Sequence, residues 1–176
     1  MRDQRRVRFS QGGASLSALE NMPKLLWAGI SVGLYVLGCF LPALAMEEPT
    51  ALASPLPGYA CLALGLPLWS FLLASDMGRL GGLLLGLSWL ANFPAALAVA
   101  AIIGARTGQW AMRLGLASTG LALLTALLFA THVPVDAGSY PDYISGIGLG
   151  YALWVAALVT PIVAGYVVSR RSSPGG

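Results

Sequence analysis

Asn92 is the most polar side chain of a long apolar stretch, in the run Trp89-Leu90-Ala91-Asn92-Phe93-Pro94. Burying an unpaired amide costs about 1–3 kcal/mol on mutational scales. Asn92 must therefore face other helices and find hydrogen-bond partners there. Pro94 has no N–H, so it frees a backbone carbonyl about one turn earlier, near Leu90, which a neighbour can satisfy. Trp89 lies three residues before Asn92 and shares its helix face. Two roles fit this constellation. It can be a kink that contacts a ligand, or an interhelical clamp. The clamp is the expectation, because a lone carboxamide in lipid needs partners whether or not a ligand exists.

A second group of residues could bind a cation or a partner on one face: Glu47, Glu48, Asp76, Arg79, His132, Asp136 and Asp142. Their spacing specifies no reaction. They are expected to be solvated loop charges, with at most an Arg79–carboxylate pair worth about 0–1 kcal/mol. Cys39 and Cys61 are too far apart in sequence for CxxC chemistry, and the single histidine rules out a His-rich metal site. A disulfide between them would need an oxidising compartment; free, buried thiols are the expectation. The sequence has no P-loop, no HExxH and no GxSxG. No catalytic residue, cofactor or metal is expected, and the chain does not read as an enzyme.

These residues must be held by elements that composition narrows sharply. Of the 176 residues, 57% are hydrophobic and 10% are charged. Soluble domains carry about 25% charged residues, so lipid is the solvent that such a surface suits. The net charge of +3 does not indicate nucleic acid, because the basic residues form short runs outside the apolar stretches. Residues 1–24 read as a flexible basic tail. Spanning helices are expected over about 25–46, 80–105, 114–131 and 147–168, each near the roughly 20 residues that cross 30 Å of hydrocarbon. Residues 47–58 and 132–146 read as loops, 106–113 as a polar turn, and 169–176 as a second tail. A further apolar stretch, 59–75, is short and interrupted by Pro67.

Charge placement chooses between four and five crossings, since short cytoplasmic loops are enriched in Lys and Arg. If 59–75 crosses, Arg106, Arg113, Arg170 and Arg171 all fall outside. If it does not, every basic residue except Arg79 lies inside, and the acidic loops both face out. The fold class expected is an all-α integral membrane protein of four transmembrane helices plus a short re-entrant or interfacial helix at 59–75. A kinked fifth crossing is the alternative. Ala43-Leu44-Ala45 resembles a signal-peptidase site, but the apolar run before it exceeds the usual 7–15 residues, so an uncleaved first helix is expected.

No ionisable side chain other than Cys or Tyr falls in any spanning stretch. Pumps and ion-coupled transporters usually need charge at depth. Three GxxxG pairs, Gly29/Gly33, Gly82/Gly86 and Gly146/Gly150, are expected at helix contacts, where small residues allow close approach. Trp27 and Trp110 should mark the inner interface, and Tyr59, Tyr140 and Tyr143 the outer one. Arg2, Arg5, Arg6 and Arg8 can attract anionic lipid headgroups at about 1 kcal/mol each.

Four short runs carry a resemblance: Cys39-Phe40-Leu41-Pro42-Ala43-Leu44, Gly58-Tyr59-Ala60-Cys61-Leu62, Trp89-Leu90-Ala91-Asn92, and Gly148-Leu149-Gly150-Tyr151-Ala152-Leu153-Trp154. Over roughly residues 36–156 the chain resembles a group of small bacterial inner-membrane proteins of uncharacterised activity. These have an FLPA-type end to the first helix, a WLANP segment and a late GYxLW. Here Phe93 separates Asn92 from Pro94, so the kink geometry departs from the group's. The resemblance implies a multi-pass protein of the bacterial inner membrane, with both termini cytoplasmic from the charge count. The expected function is that of a non-enzymatic accessory or structural component, packing against itself or a membrane partner. The alternative is a small channel or transporter with 59–75 re-entrant near Asn92.

Overall fold

A computed structural model describes residues 13–47, 55–63, 79–104, 108–132 and 143–172. In chain order these form α1 (Gly13–Phe40), β1 (Pro42–Glu47), β2 (Pro55–Pro57), α2 (Arg79–Trp89), α3 (Asn92–Ile103), α4 (Gly108–Thr131), β3 (Tyr143–Ile147) and α5 (Leu149–Ser172). Residues 58–63 are also helical. Among the described residues, four helical stretches are long and apolar enough to cross a membrane: Met22–Phe40, Leu83–Ile103, Gly108–Thr131 and Leu149–Arg170. At 1.5 Å per residue their 19 to 24 residues span roughly 29–36 Å, matching the hydrocarbon thickness.

The chain is not all-α. The first helix stops at Phe40 instead of continuing to residue 46, because Pro42 disfavours helical backbone at Leu41. The apolar run simply continues as β1, and a short apolar run does not by itself distinguish helix from strand. The supposed loops 47–58 and 132–146 contribute β2 and most of β3, and Ile147 belongs to β3 rather than to the last helix. The three strands form an antiparallel sheet in the order β2-β1-β3. Leu44 pairs with Leu56 on one side and with Ile147 on the other. The prolines of β2 lie at the sheet edge, where a missing donor is tolerated.

Four other boundaries move. α1 starts at Gly13, so residues 13–24 of the expected flexible tail are helical, and α5 runs to Ser172, four residues into the expected second tail. The expected span 80–105 is divided at Leu90–Ala91 into α2 and α3. The polar turn expected at 106–113 is shorter, since α4 starts at Gly108 and takes Gln109 and Arg113 into its first turns. Of the apolar stretch 59–75, residues 64–75 lie outside the described residues.

The sheet caps one end of the bundle. Gly58 N–H donates to the Leu41 carbonyl at 3.0 Å, and Gly148 N–H to the Ala43 carbonyl at 2.8 Å. Leu44 and Ile144 pack there with Leu128 and Tyr151. At the opposite end Ala101, Ile102, Ala111 and Ala164 pack together, with Trp27 against them. The pattern of polarity is inverted relative to a water-soluble protein. Leu26, Leu37, Phe93, Leu97, Leu123 and Val163 are exposed, while Ser31, Ser88, Ser118, Thr125 and Thr160 are buried. Lipid outside and hydroxyl pairing inside account for both halves of that pattern.

Candidate functional site

Asn92 is the first residue of α3, one position past the break between α2 and α3. The break arises because the hydrogen-bond ladder tightens. Ala91 N–H donates to Ser88 (3.0 Å) and Phe93 N–H to Leu90 (3.1 Å), both three residues back. Phe93 thereby satisfies the Leu90 carbonyl that Pro94 frees, and it leaves the Trp89 carbonyl without its regular donor. The Asn92 side chain takes that place: its Nδ2 donates to the Trp89 carbonyl at 2.8 Å. Its Oδ1 accepts from two other helices, from Tyr35 Oη of α1 at 3.1 Å and from Trp154 Nε1 of α5 at 3.0 Å. Trp89, edge-on to Phe93, donates its own Nε1 to the Leu62 carbonyl at 3.0 Å. One carboxamide thus repairs the kink and joins three spans, and the neighbouring indole holds the 58–63 segment.

A line of hydroxyls continues from this point. Ser118 of α4 donates to the Ala91 carbonyl at 2.6 Å. The Ser88 hydroxyl lies 2.7 Å from that of Thr125, and it donates to the Ala122 carbonyl at 3.3 Å. Tyr151 of α5 donates to the same carbonyl at 2.8 Å. Ser31 of α1 donates to the Ala157 carbonyl of α5 at 2.8 Å. Together with Asn92 these groups form a polar seam with a donor or acceptor from every span. Sequence reasoning placed Trp89, Asn92 and Pro94 here but overlooked Tyr35, Ser88, Ser118, Thr125, Tyr151 and Trp154.

The acidic and basic group expected at the outer face is only partly described. His132 is exposed just past the end of α4, with φ of 49°, and its ring lies 6.5 Å from that of Phe129. Glu47 ends β1 and Arg79 starts α2. Glu48, Asp76, Asp136 and Asp142 lie outside the described residues, as do Arg2, Arg5, Arg6 and Arg8. Tyr59 is exposed and Tyr143 opens β3 at the sheet end. Tyr140 lies outside the described residues. Cys39 and Cys61 are free thiols.

The glycines divide clearly. A Cβ at Gly29 or Gly33 would meet nothing within 4 Å. Gly82 and Gly86 lie in α2, the second of them buried. Gly146 is in β3, opposite Ala45. Gly150 packs on the end of α1, where a Cβ would stand 2.8 Å from the Gly38 carbonyl oxygen. Among the described residues, a close backbone crossing of two long helices falls outside the three GxxxG pairs singled out above. A Cβ on Gly108 of α4 would collide with the Gly165 carbonyl oxygen of α5, and one on Gly165 with that of Gly108.

Among the described residues, the inverted polarity, the four helices long and apolar enough to cross a membrane and the polar seam have the makeup of a helical membrane protein capped by a small sheet. Comparisons with protein families, with curated proteins and with solved structures returned no match.

Proposed function

We propose that this chain is a non-enzymatic structural or accessory component of the bacterial inner membrane, and that the seam centred on Asn92 clamps its helices together. The observation that carries this reading is that Asn92 uses both lone pairs of Oδ1 and one N–H of Nδ2 on groups of the chain itself. A side chain committed in this way has little left for a passing solute. In the proposed topology both termini and the turn before α4 are cytoplasmic. Trp27, which packs at the end opposite the sheet, follows Lys24 by three residues, less than one helical turn. Arg113 and Arg170 lie on α4 and α5 toward that same end, with Arg170 4.6 Å above the Tyr166 ring. Basic residues gathered at one end favour the cytoplasmic side. The four arginines of the N-terminal tail would add attraction to anionic lipid headgroups. A second copy or another membrane protein is the partner class that an accessory role implies.

Reconstituted vesicles test the clamp against the channel reading. Asn92→Leu is expected to leave passive fluxes of K⁺, Na⁺, H⁺ and glycerol at wild-type levels while lowering stability. A flux carried by the wild-type protein and abolished in Asn92→Leu, with no change in its unfolding midpoint, would instead make Asn92 a conduction residue.

A further inference from the structure

Two cysteines that play no part in the seam sit on facing elements at the sheet end. Cys39 is in the last turn of α1, one turn past Tyr35. Tyr35 points at Asn92, so this face of α1 looks toward the α2–α3 break. Cys61 belongs to the helical residues 58–63, and the Leu62 carbonyl beside it is held by Trp89 at the same break. The segment starts directly on Cys39. Gly58 donates to the Leu41 carbonyl, and a Cβ on Gly58 would stand 2.9 Å from the Cys39 Cα. Cys61 follows Gly58 by three helical residues, a step of about 5 Å, so its Cα lies within about 9.5 Å of that of Cys39. Disulfides join Cα atoms 4.4–6.8 Å apart, so a shift of about 3–5 Å closes even the widest separation allowed.

We propose that Cys39 and Cys61 are a redox-reversible pair whose disulfide staples the 58–63 segment to the end of α1. The proposal rests on the outward placement of the sheet end, where thiols meet an oxidising compartment. The oxidant is a disulfide, carried by a protein or a small thiol. One cysteine thiolate attacks it and forms a mixed disulfide, releasing one thiol. The second cysteine then displaces the other. Two electrons pass to the donor, and both protons leave with its two thiols. Burial pushes the Cys61 thiol up from its ordinary range, so its thiolate is scarcer at neutral pH and closure quickens as pH rises.

The full chain in nanodiscs, treated with oxidised glutathione, tests this. The expected product is a monomer with both thiols blocked to maleimide, without retained glutathione, and with both thiols restored by dithiothreitol. Cys39→Ser should leave glutathione attached to Cys61. Gly58→Ala, whose methyl group meets Gly38 and Cys39, should close at least tenfold more slowly. So should Cys61→Ser combined with Leu62→Cys, which turns the thiol about 100° around the helix. Separate glutathione adducts on both cysteines, a link between copies only, or equal rates in the register variant would overturn the pair. The topology is read separately by an impermeant maleimide on reduced, intact cells. Labelling only after permeabilisation would overturn the outward placement and leave the pair standing.

Discussion

Gly165→Leu is expected to drive α4 and α5 apart and to lower stability by about 3 kcal/mol, the upper end of ordinary overpacking costs. The two helices meet backbone to backbone at Gly108 and Gly165. A Cβ on Gly165 falls on the Gly108 carbonyl oxygen and within 2.9 Å of the Met112 nitrogen, neither of which is a flexible side-chain end. Gly165→Ala should already cost about 1–3 kcal/mol. Gly29→Ala and Gly33→Ala supply the contrast. With nothing within 4 Å of either site, they should be neutral or stabilising by about 0.5–1 kcal/mol, since glycine in a helix interior carries an entropic cost. Denaturant titration in mixed micelles, followed by tryptophan fluorescence, separates the two sets. Equal midpoints for Gly165→Leu and Gly29→Ala would refute the packing described here.

Asn92→Leu is the second large effect, a loss of about 2 kcal/mol. Hydrogen bonds between membrane helices average about 0.6 kcal/mol each, and Asn92 makes three. Leucine fills the volume, so the loss reports polar pairing and not a cavity. It leaves the Trp89 carbonyl, the Tyr35 hydroxyl and the Trp154 indole N–H without their partner. Tyr35→Phe should cost about 0.6 kcal/mol alone and add no further loss on the Asn92→Leu background, where Trp154→Phe should add only the packing its smaller ring gives up against the core. That non-additivity is the signature of one shared acceptor. Fully additive losses would mean that the aromatic groups act elsewhere.

Much of this architecture was legible in the sequence, for identifiable reasons. The four long apolar helices followed from run length, and Asn92 stood out because a carboxamide in an apolar run needs partners. The sheet was hidden because Pro42-Ala43-Leu44-Ala45-Met46 extends the apolar run of α1, and strand pairing across some hundred residues leaves no local mark. The α4 seam was legible but was passed over. Gly108, Ala111, Gly115, Ser118, Ala122 and Thr125 recur at alternating steps of three and four, all buried, which is the spacing of a helix–helix contact. GxxxG spacing misled because it fixes which glycines share a face and not which face meets a neighbour. Gly29 and Gly33 share one that meets none of the described residues.

The number of crossings is the claim on which the rest depends, and cysteine accessibility tests it most directly. In a variant lacking Cys39 and Cys61, single cysteines at positions 77 and 109 are labelled in intact cells with an impermeant maleimide. Four crossings with cytoplasmic termini predict that position 77 labels from outside and that position 109 labels only after permeabilisation. The reverse pattern would mean that 59–75 crosses the membrane, and would contradict the four-span bundle.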